Sequence, residues 1–136
     1  MVERALALLR TGGALERAIV FGSFGLALHG ARAFESVPDL DVVTSLDDTV
    51  DIARALLANG ARVTSWSDAV TPDVDRERLR GRIYLRAYLD ALTIDVTYEG
   101  VDVAAFRGDA HVIDGVRVAT LARIEDRRAA KAADAS

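Results

Sequence analysis

Three aspartates and a Gly-Ser pair carry the chemistry that this sequence offers. Asp39 and Asp41 stand one residue apart in PDLDVV, inside a run that otherwise reads as a strand. Side chains alternate along a strand, so both carboxylates face one way, while Leu40 and Val42 face the other, toward a core. Two carboxylates held this close repel each other, and a cation between them relieves that cost. Hard cations such as Mg²⁺ prefer oxygen ligands, usually a few carboxylates with water and substrate phosphate. Asp95 lies between Ile94 and Val96 on the polar face of a later predicted strand, where an unpaired carboxylate is expensive. If the two strands are neighbours, the three carboxylates cluster as in two-metal phosphoryl-transfer sites. Gly22-Ser23 supplies the complement. A strand ends and a helix begins there, so free backbone N–H groups can receive phosphate, Gly22 allows close approach, and the Ser23 hydroxyl adds a donor.

The elements that must position these groups follow from periodicity and punctuation. Val2, Leu6 and Leu9 predict a short first helix, stopped by Thr11-Gly12-Gly13. Arg17–Phe21 reads as a strand, Ser23–His29 as a helix ending at Gly30, Ala31–Pro38 as a loop, and Leu40–Thr44 as a strand. Ser45, Asp47 and Asp48 offer N-caps for a helix over about 49–59, with Gly60 past its end. Arg62–Trp66 reads as a strand, and residues 67–81, with Pro72, as a loop or a loop with one helical turn. Arg82–Leu89 alternates most cleanly. Ile83, Leu85, Ala87 and Leu89 share one face, and Arg82, Tyr84, Arg86 and Tyr88 the other. Leu92–Thr97 follows, and a hairpin at Asp90-Ala91 sets Arg86 opposite Asp95 on one face. Arg86 then has two readings, a cross-strand ion pair or a contact to the triphosphate or substrate. Residues 98–115 read as irregular, Val116–Ala119 as a strand and Leu121–Ala133 as a helix. The order predicts one α+β domain over residues 1–136, with a mixed, largely antiparallel sheet flanked by helices.

The motif order is specific. Gly22-Ser23, then Asp39-Leu40-Asp41 on a strand, then Asp95 on a later strand, resembles the nucleotidyltransferase superfamily that includes DNA polymerase β. The nearer likeness is to its small bacterial members: minimal, antibiotic and toxin–antitoxin nucleotidyltransferases. FGSFGLALHG, residues 21–30, resembles their strand–Gly-Ser–helix opening, with Ala27 as the small residue and His29-Gly30 as the ending. VATLARIEDRRAAKAA, residues 118–133, resembles the helix that often follows their catalytic sheet, with Lys131 at its basic position. The likeness spans nearly the whole chain. Two departures are the gap of fifteen residues between Ser23 and Asp39, slightly longer than usual, and Asp126 where relatives often carry an aliphatic residue.

The resemblance implies that Asp39 and Asp41 bind metal, that Asp95 is a metal ligand or general base, and that Gly22 and Ser23 hold the triphosphate. Lys131 is a phosphate contact or a solvated helix charge. The implied cofactor is Mg²⁺, as two ions, with Mn²⁺ as a substitute. The implied reaction moves an NMP from an NTP such as ATP to a hydroxyl acceptor and releases pyrophosphate. The acceptor is a small molecule, a protein hydroxyl or a tRNA end, and a second copy or a small helical protein is the expected partner. From another class comes a non-catalytic binding module on the same fold, such as an antitoxin-like partner.

Composition narrows the alternatives. The chain has 136 residues, 51% hydrophobic and 28% charged, enough for one core and not a disordered composition. It has no cysteine and only His29 and His111, which excludes disulfides and thiolate sites and disfavours a histidine-rich one. No apolar run approaches membrane-spanning length and no N-terminal signal pattern appears, so the expectation is a cytoplasmic protein without membrane contact. A net charge of −4 argues against a broad nucleic-acid surface, while leaving room for a small contact to an RNA end. No GxxxxGK[ST] or GxGxxG motif is present. Arg32 and Glu35 read as solvated loop charges, His29 as packing at a helix end, Trp66 as an edge of the core ahead of a base-stacking platform, and the Arg82, Tyr84, Arg86, Tyr88 stripe as an exposed sheet face or a surface for a ligand or second subunit.

Overall fold

A computed structural model describes residues 2–11, 13–37 and 39–135, the side chains of Thr11, Asp134 and Ala135 apart. Gly12 and Pro38 therefore lie outside the described residues. The elements run α1 (Val2–Thr11), β1 (Ile19–Phe21), α2 (Gly22–Leu28), β2 (Leu40–Val43), α3 (Leu46–Ala58), β3 (Arg62–Ser65), β4 (Asp68–Ala69), α4 (Arg76–Leu79), β5 (Tyr84–Leu89), β6 (Leu92–Thr97), α5 (Val103–Asp109), β7 (His111–Ile113), β8 (Val116–Val118) and α6 (Leu121–Ala135). The eight strands form one sheet in the order β4-β3-β5-β6-β2-β1-β8-β7. Among the described residues, only β2–β6 and β1–β8 are parallel pairs. The other pairings are antiparallel, as the alternation predicts.

Alternation sorts the sheet into an apolar face and a mixed one. Val20, Leu40, Val42, Leu85, Ala87, Ile94 and Val96 are buried in one cluster with Ala5 and Leu9 of α1 and Ile52, Ala53 and Leu56 of α3. A second cluster joins Ile19 and Val43 to Phe106 of α5 and Ile124 of α6. Gly25 lets α2 and α6 meet. A Cβ there would stand 2.9 Å from Ile124 Cδ1. Ser45 caps α3, its hydroxyl accepting from the Asp48 N–H at 3.2 Å. Asp48, also a predicted cap, instead bonds Arg17 at 2.9 Å and Thr44 at 3.0 Å.

Several expectations need correction. Residues 98–115 are not irregular but hold α5 and β7. Asp102 opens α5 by accepting from Ala105 N–H at 3.0 Å, and an Asp114-Gly115 turn with positive φ at both residues joins β7 to β8. Residues 67–81 hold the short strand β4 as well as the one helical turn, α4. Strand β5 begins at Tyr84, not Arg82. Ile83 takes a φ of 76° and is 44% exposed, so it leaves the face of Leu85, Ala87 and Leu89. Glu99 stabilises that bend by accepting from Gly81 and Ile83 N–H, both at 3.0 Å. Trp66 is not an edge of the core. It has a φ of 50° and is 57% exposed.

Candidate active site

Strand register builds the site. Antiparallel pairing sets Arg86 opposite Asp95, parallel pairing sets Asp95 beside Asp41, and antiparallel pairing sets Asp41 beside Phe21. Thr64 of β3 extends the row beyond Arg86. One cross-strand row thus reads Thr64, Arg86, Asp95, Asp41, Phe21 on the mixed face. Phe21 ends β1, so the next residues, Gly22 and Ser23, turn into α2 beside Asp41.

Gly22 is needed for that approach. Its φ is +63°, and a Cβ would overlap Asp41 Oδ2 and stand 3.1 Å from its Cγ. Any side chain would therefore face both a left-handed backbone and the carboxylate. Ser23 Oγ accepts from Arg32 Nη1 at 2.7 Å. Arg32 is anchored by Ser36, with Nε to Oγ at 2.9 Å and Nη2 to the carbonyl at 2.6 Å. Arg32 is thus tied to the turn and is not a merely solvated charge. Because its guanidinium occupies an acceptor position on Ser23, the Ser23 hydroxyl proton is left to donate elsewhere.

The charges are uneven. Burial, then the charges of Asp95 and Asp39, push the Asp41 carboxyl up to about 6, against the relief given by Lys131 and Arg86. Asp95 has an internal partner: Arg86 Nε donates to Oδ1 at 2.7 Å and Nη2 to Oδ2 at 3.1 Å. That hydrogen-bonded carboxylate raises the Arg86 pKa, so the guanidinium stays charged. The predicted ion-pair reading of Arg86 is therefore the geometry present.

A cleft of about 1070 Å³ opens over this row. Gly22, Ser23, Asp41, Arg86, Asp95 and Lys131 all line it. Asp39 does not. It is half-buried just before β2, and the structure keeps it near enough for its charge to act on Asp41. Among the described residues, no three acidic or histidine side chains converge closely enough to hold one ion. Asp39 and Asp41 are the oxygen donors whose mutual repulsion a hard cation would relieve. Asp95 as placed belongs to Arg86. His29 packs at its helix end as expected, with Nε2 2.7 Å from the Ala119 carbonyl.

Sequence reading missed one part of the wall: Arg123, Arg127 and Asp126 from α6 line the cleft, as does Tyr84 from β5. The alternation of β5 already set Tyr84 on the Arg86 face. The α6 residues depend on how α6 lies across α2, which local sequence does not encode.

No family profile matches the chain, and no curated protein matches it. Among solved structures it is similar to a Thermotoga maritima protein, TM1012, described as a "putative nucleotidyltransferase". The two share 16% identity at a TM-score of 0.59, over 98% of this chain and 86% of that one. A second similar structure is JHP933 from Helicobacter pylori, with 18% identity and a TM-score of 0.49, over 92% of this chain and 53% of that one. The chain has a nucleotidyltransferase-like α+β fold. No helix among the described residues is long and apolar enough to cross a membrane.

Proposed function

We propose that the protein is a metal-dependent nucleotidyltransferase that moves an NMP from an NTP to a hydroxyl acceptor. The observation that carries this reading is the pairing of Asp41 with Asp95 next to the left-handed Gly22 turn. Asp39 and Asp41 would hold a divalent cation, Mg²⁺ or Mn²⁺, with Asp95 joining a second ion or serving as base. Such a cation, when bound, neutralises triphosphate charge and acidifies an attacking hydroxyl. The chain's own groups do the rest. The Gly22 and Ser23 N–H groups and the Ser23 hydroxyl orient phosphate oxygens. Lys131 adds positive charge from α6. Arg86 releases Asp95 and turns to the phosphates, and Asp95 takes the acceptor proton. The acceptor oxygen bonds to the α-phosphorus, the bond to the bridging oxygen breaks, and pyrophosphate leaves. A cytoplasmic location, where NTP and Mg²⁺ are supplied, belongs to the same proposal.

One observation favours a second reading. Arg86 engages both oxygens of Asp95, so the third carboxylate is already neutralised without any cation. A non-catalytic binding module, antitoxin-like in kind, would keep that pair closed. Thermal melting with each of the four NTPs, with and without Mg²⁺, separates the two. Ligand at a hundred times its Kd adds about 2.7 kcal/mol to native stability. The transferase reading expects a Mg²⁺-dependent rise in Tm that is absent in Asp39→Ala/Asp41→Ala. No rise with any NTP would leave the binding module.

A further inference from the structure

Beside the acidic row lies an aromatic pair that the chemistry above does not use, one ring of it in the cleft wall and the other packed behind it. Tyr84 lines the cleft, two residues from Arg86 along β5. Trp66 packs against it in a T-shaped contact, ring centroids 5.0 Å apart and planes at 82°. The β3–β5 register explains the meeting. Thr64 pairs with Arg86, so two residues on, Trp66 comes level with Tyr84. Trp66 nevertheless remains 57% exposed.

The β3–β4 hairpin sets the indole there. Trp66 and Ser67, with φ of 50° and 71°, are the two-residue turn between paired Ser65 and Asp68, and Ile83 takes a φ of 76°. Non-glycine residues with positive φ need support from their surroundings. Here the surroundings are a dedicated network. The Arg82 side chain donates to Ser65 Oγ at 3.0 Å, to the Ser65 carbonyl at 2.7 Å and to Asp68 at 2.6 Å. The Arg82 carbonyl in turn accepts from the Trp66 indole N–H at 2.5 Å. Further along the same two strands, the Arg62 guanidinium lies 4.1 Å from the Tyr88 ring centroid. The mixed face of β3 and β5 thus alternates guanidinium and aromatic groups, the chemistry on which bases stack. From Asp41, Tyr84 is two strands across and two residues along, and Trp66 three across and two along, about 12 and 16 Å at the usual spacings.

We infer that Trp66 and Tyr84 form a stacking platform for a nucleobase at the β3–β5 end of the cleft. The inference rests on the nucleotidyl-transfer reading, because it gives that cleft its ligand class. The base comes from the incoming nucleotide or from the terminal residue of an RNA acceptor.

Trp66 is the only tryptophan, so intrinsic emission reports this one position. Fluorescence titrations would use the four Mg-NTPs, a short single-stranded RNA with a free 3′ hydroxyl, and Mg-tripolyphosphate as a base-free control. Saturable quenching by an NTP but not by tripolyphosphate supports the platform and assigns the base to the incoming nucleotide. Quenching by RNA alone supports it and assigns the base to the acceptor. Equal quenching by tripolyphosphate overturns it, as does no quenching by NTP or RNA. Melting of the same samples keeps the two readings apart, since a Mg-NTP shift without quenching sinks the platform and spares the transferase. Calorimetry on variants adds a second arm. Trp66→Phe should bind the probe that quenches the parent, Mg-NTP or RNA, as the parent does, and Trp66→Ala should bind that probe at least fivefold more weakly, the lower end for a lost base–aromatic stack. Unchanged affinity in Trp66→Ala also overturns the platform.

Discussion

Replacing Asp41 by asparagine should make the metal-free protein more stable at neutral pH. The folded protein raises this carboxyl from its ordinary 3.8 to about 6, through burial first and then through Asp95 and Asp39. A carboxyl with a raised folded pKa binds its proton more tightly folded than unfolded. Stability therefore falls as pH rises between 3.8 and about 6, is free of this cost below that window, and bears all of it above. At 1.36 kcal/mol per pH unit, a rise from 3.8 to about 6 costs about 3 kcal/mol at pH 7.5. By the same linkage about 1 kcal/mol of it remains at pH 4.5. The unfolding entropy of a 136-residue chain is about 0.29 kcal/mol per kelvin. In melts with EDTA, Asp41→Asn should then raise Tm by up to about 10 °C at pH 7.5 and about 3 °C at pH 4.5. Added Mg²⁺ should raise the parent's Tm and close much of the gap, because only the parent keeps the carboxylate. A lower Tm in the variant at pH 7.5, or an equal gain at both pH values, would refute the premise that Asp41 is a penalised charge.

Gly22→Ala should cost stability and ligand together: the left-handed backbone alone is worth about 1–2 kcal/mol, and the overlap with Asp41 Oδ2 adds to it. Denaturant melts and NTP-induced Tm shifts check both, and a stable variant that still binds would contradict the close approach. Arg86→Met should destabilise the EDTA form by about 1–2 kcal/mol, less than a fully buried pair because the Arg86 side chain is 41% exposed. Mg²⁺ should recover part of that loss by taking over Asp95, and a melt indifferent to Mg²⁺ would count against Asp95 as a ligand. Arg32→Ala leaves the Ser23 hydroxyl unfixed, so it should weaken Mg-NTP binding several-fold with little change in Tm; an unaltered Kd by calorimetry would make Arg32 a loop tether only.

The acidic row was legible in the sequence because it depends on short-range rules. Period-two alternation fixed the faces of β5 and β6, and a two-residue turn at Asp90-Ala91 fixed their register, so Arg86 had to meet Asp95. The β2–β6 adjacency entered only as a condition, since an aspartate between Ile94 and Val96 needs company, and the parallel sense of that pair was not legible. What was not legible depends on distant groups overruling local pattern. Ile83 continues the apolar alternation of β5, yet Glu99 takes the Gly81 and Ile83 N–H groups and turns the residue outward. Trp66 follows the four residues of β3 and would ordinarily be buried, yet it opens the two-residue turn into β4, which Arg82 holds by donating to the Ser65 carbonyl and to Asp68. In both cases one long polar side chain, remote in sequence, outweighs the preference of an apolar one. Both deviations fall at the same end of the cleft. The sheet departs from its own pattern beside Tyr84, where the β3–β4 turn and the Arg82 carbonyl hold the one tryptophan with its ring against Tyr84 and more than half exposed.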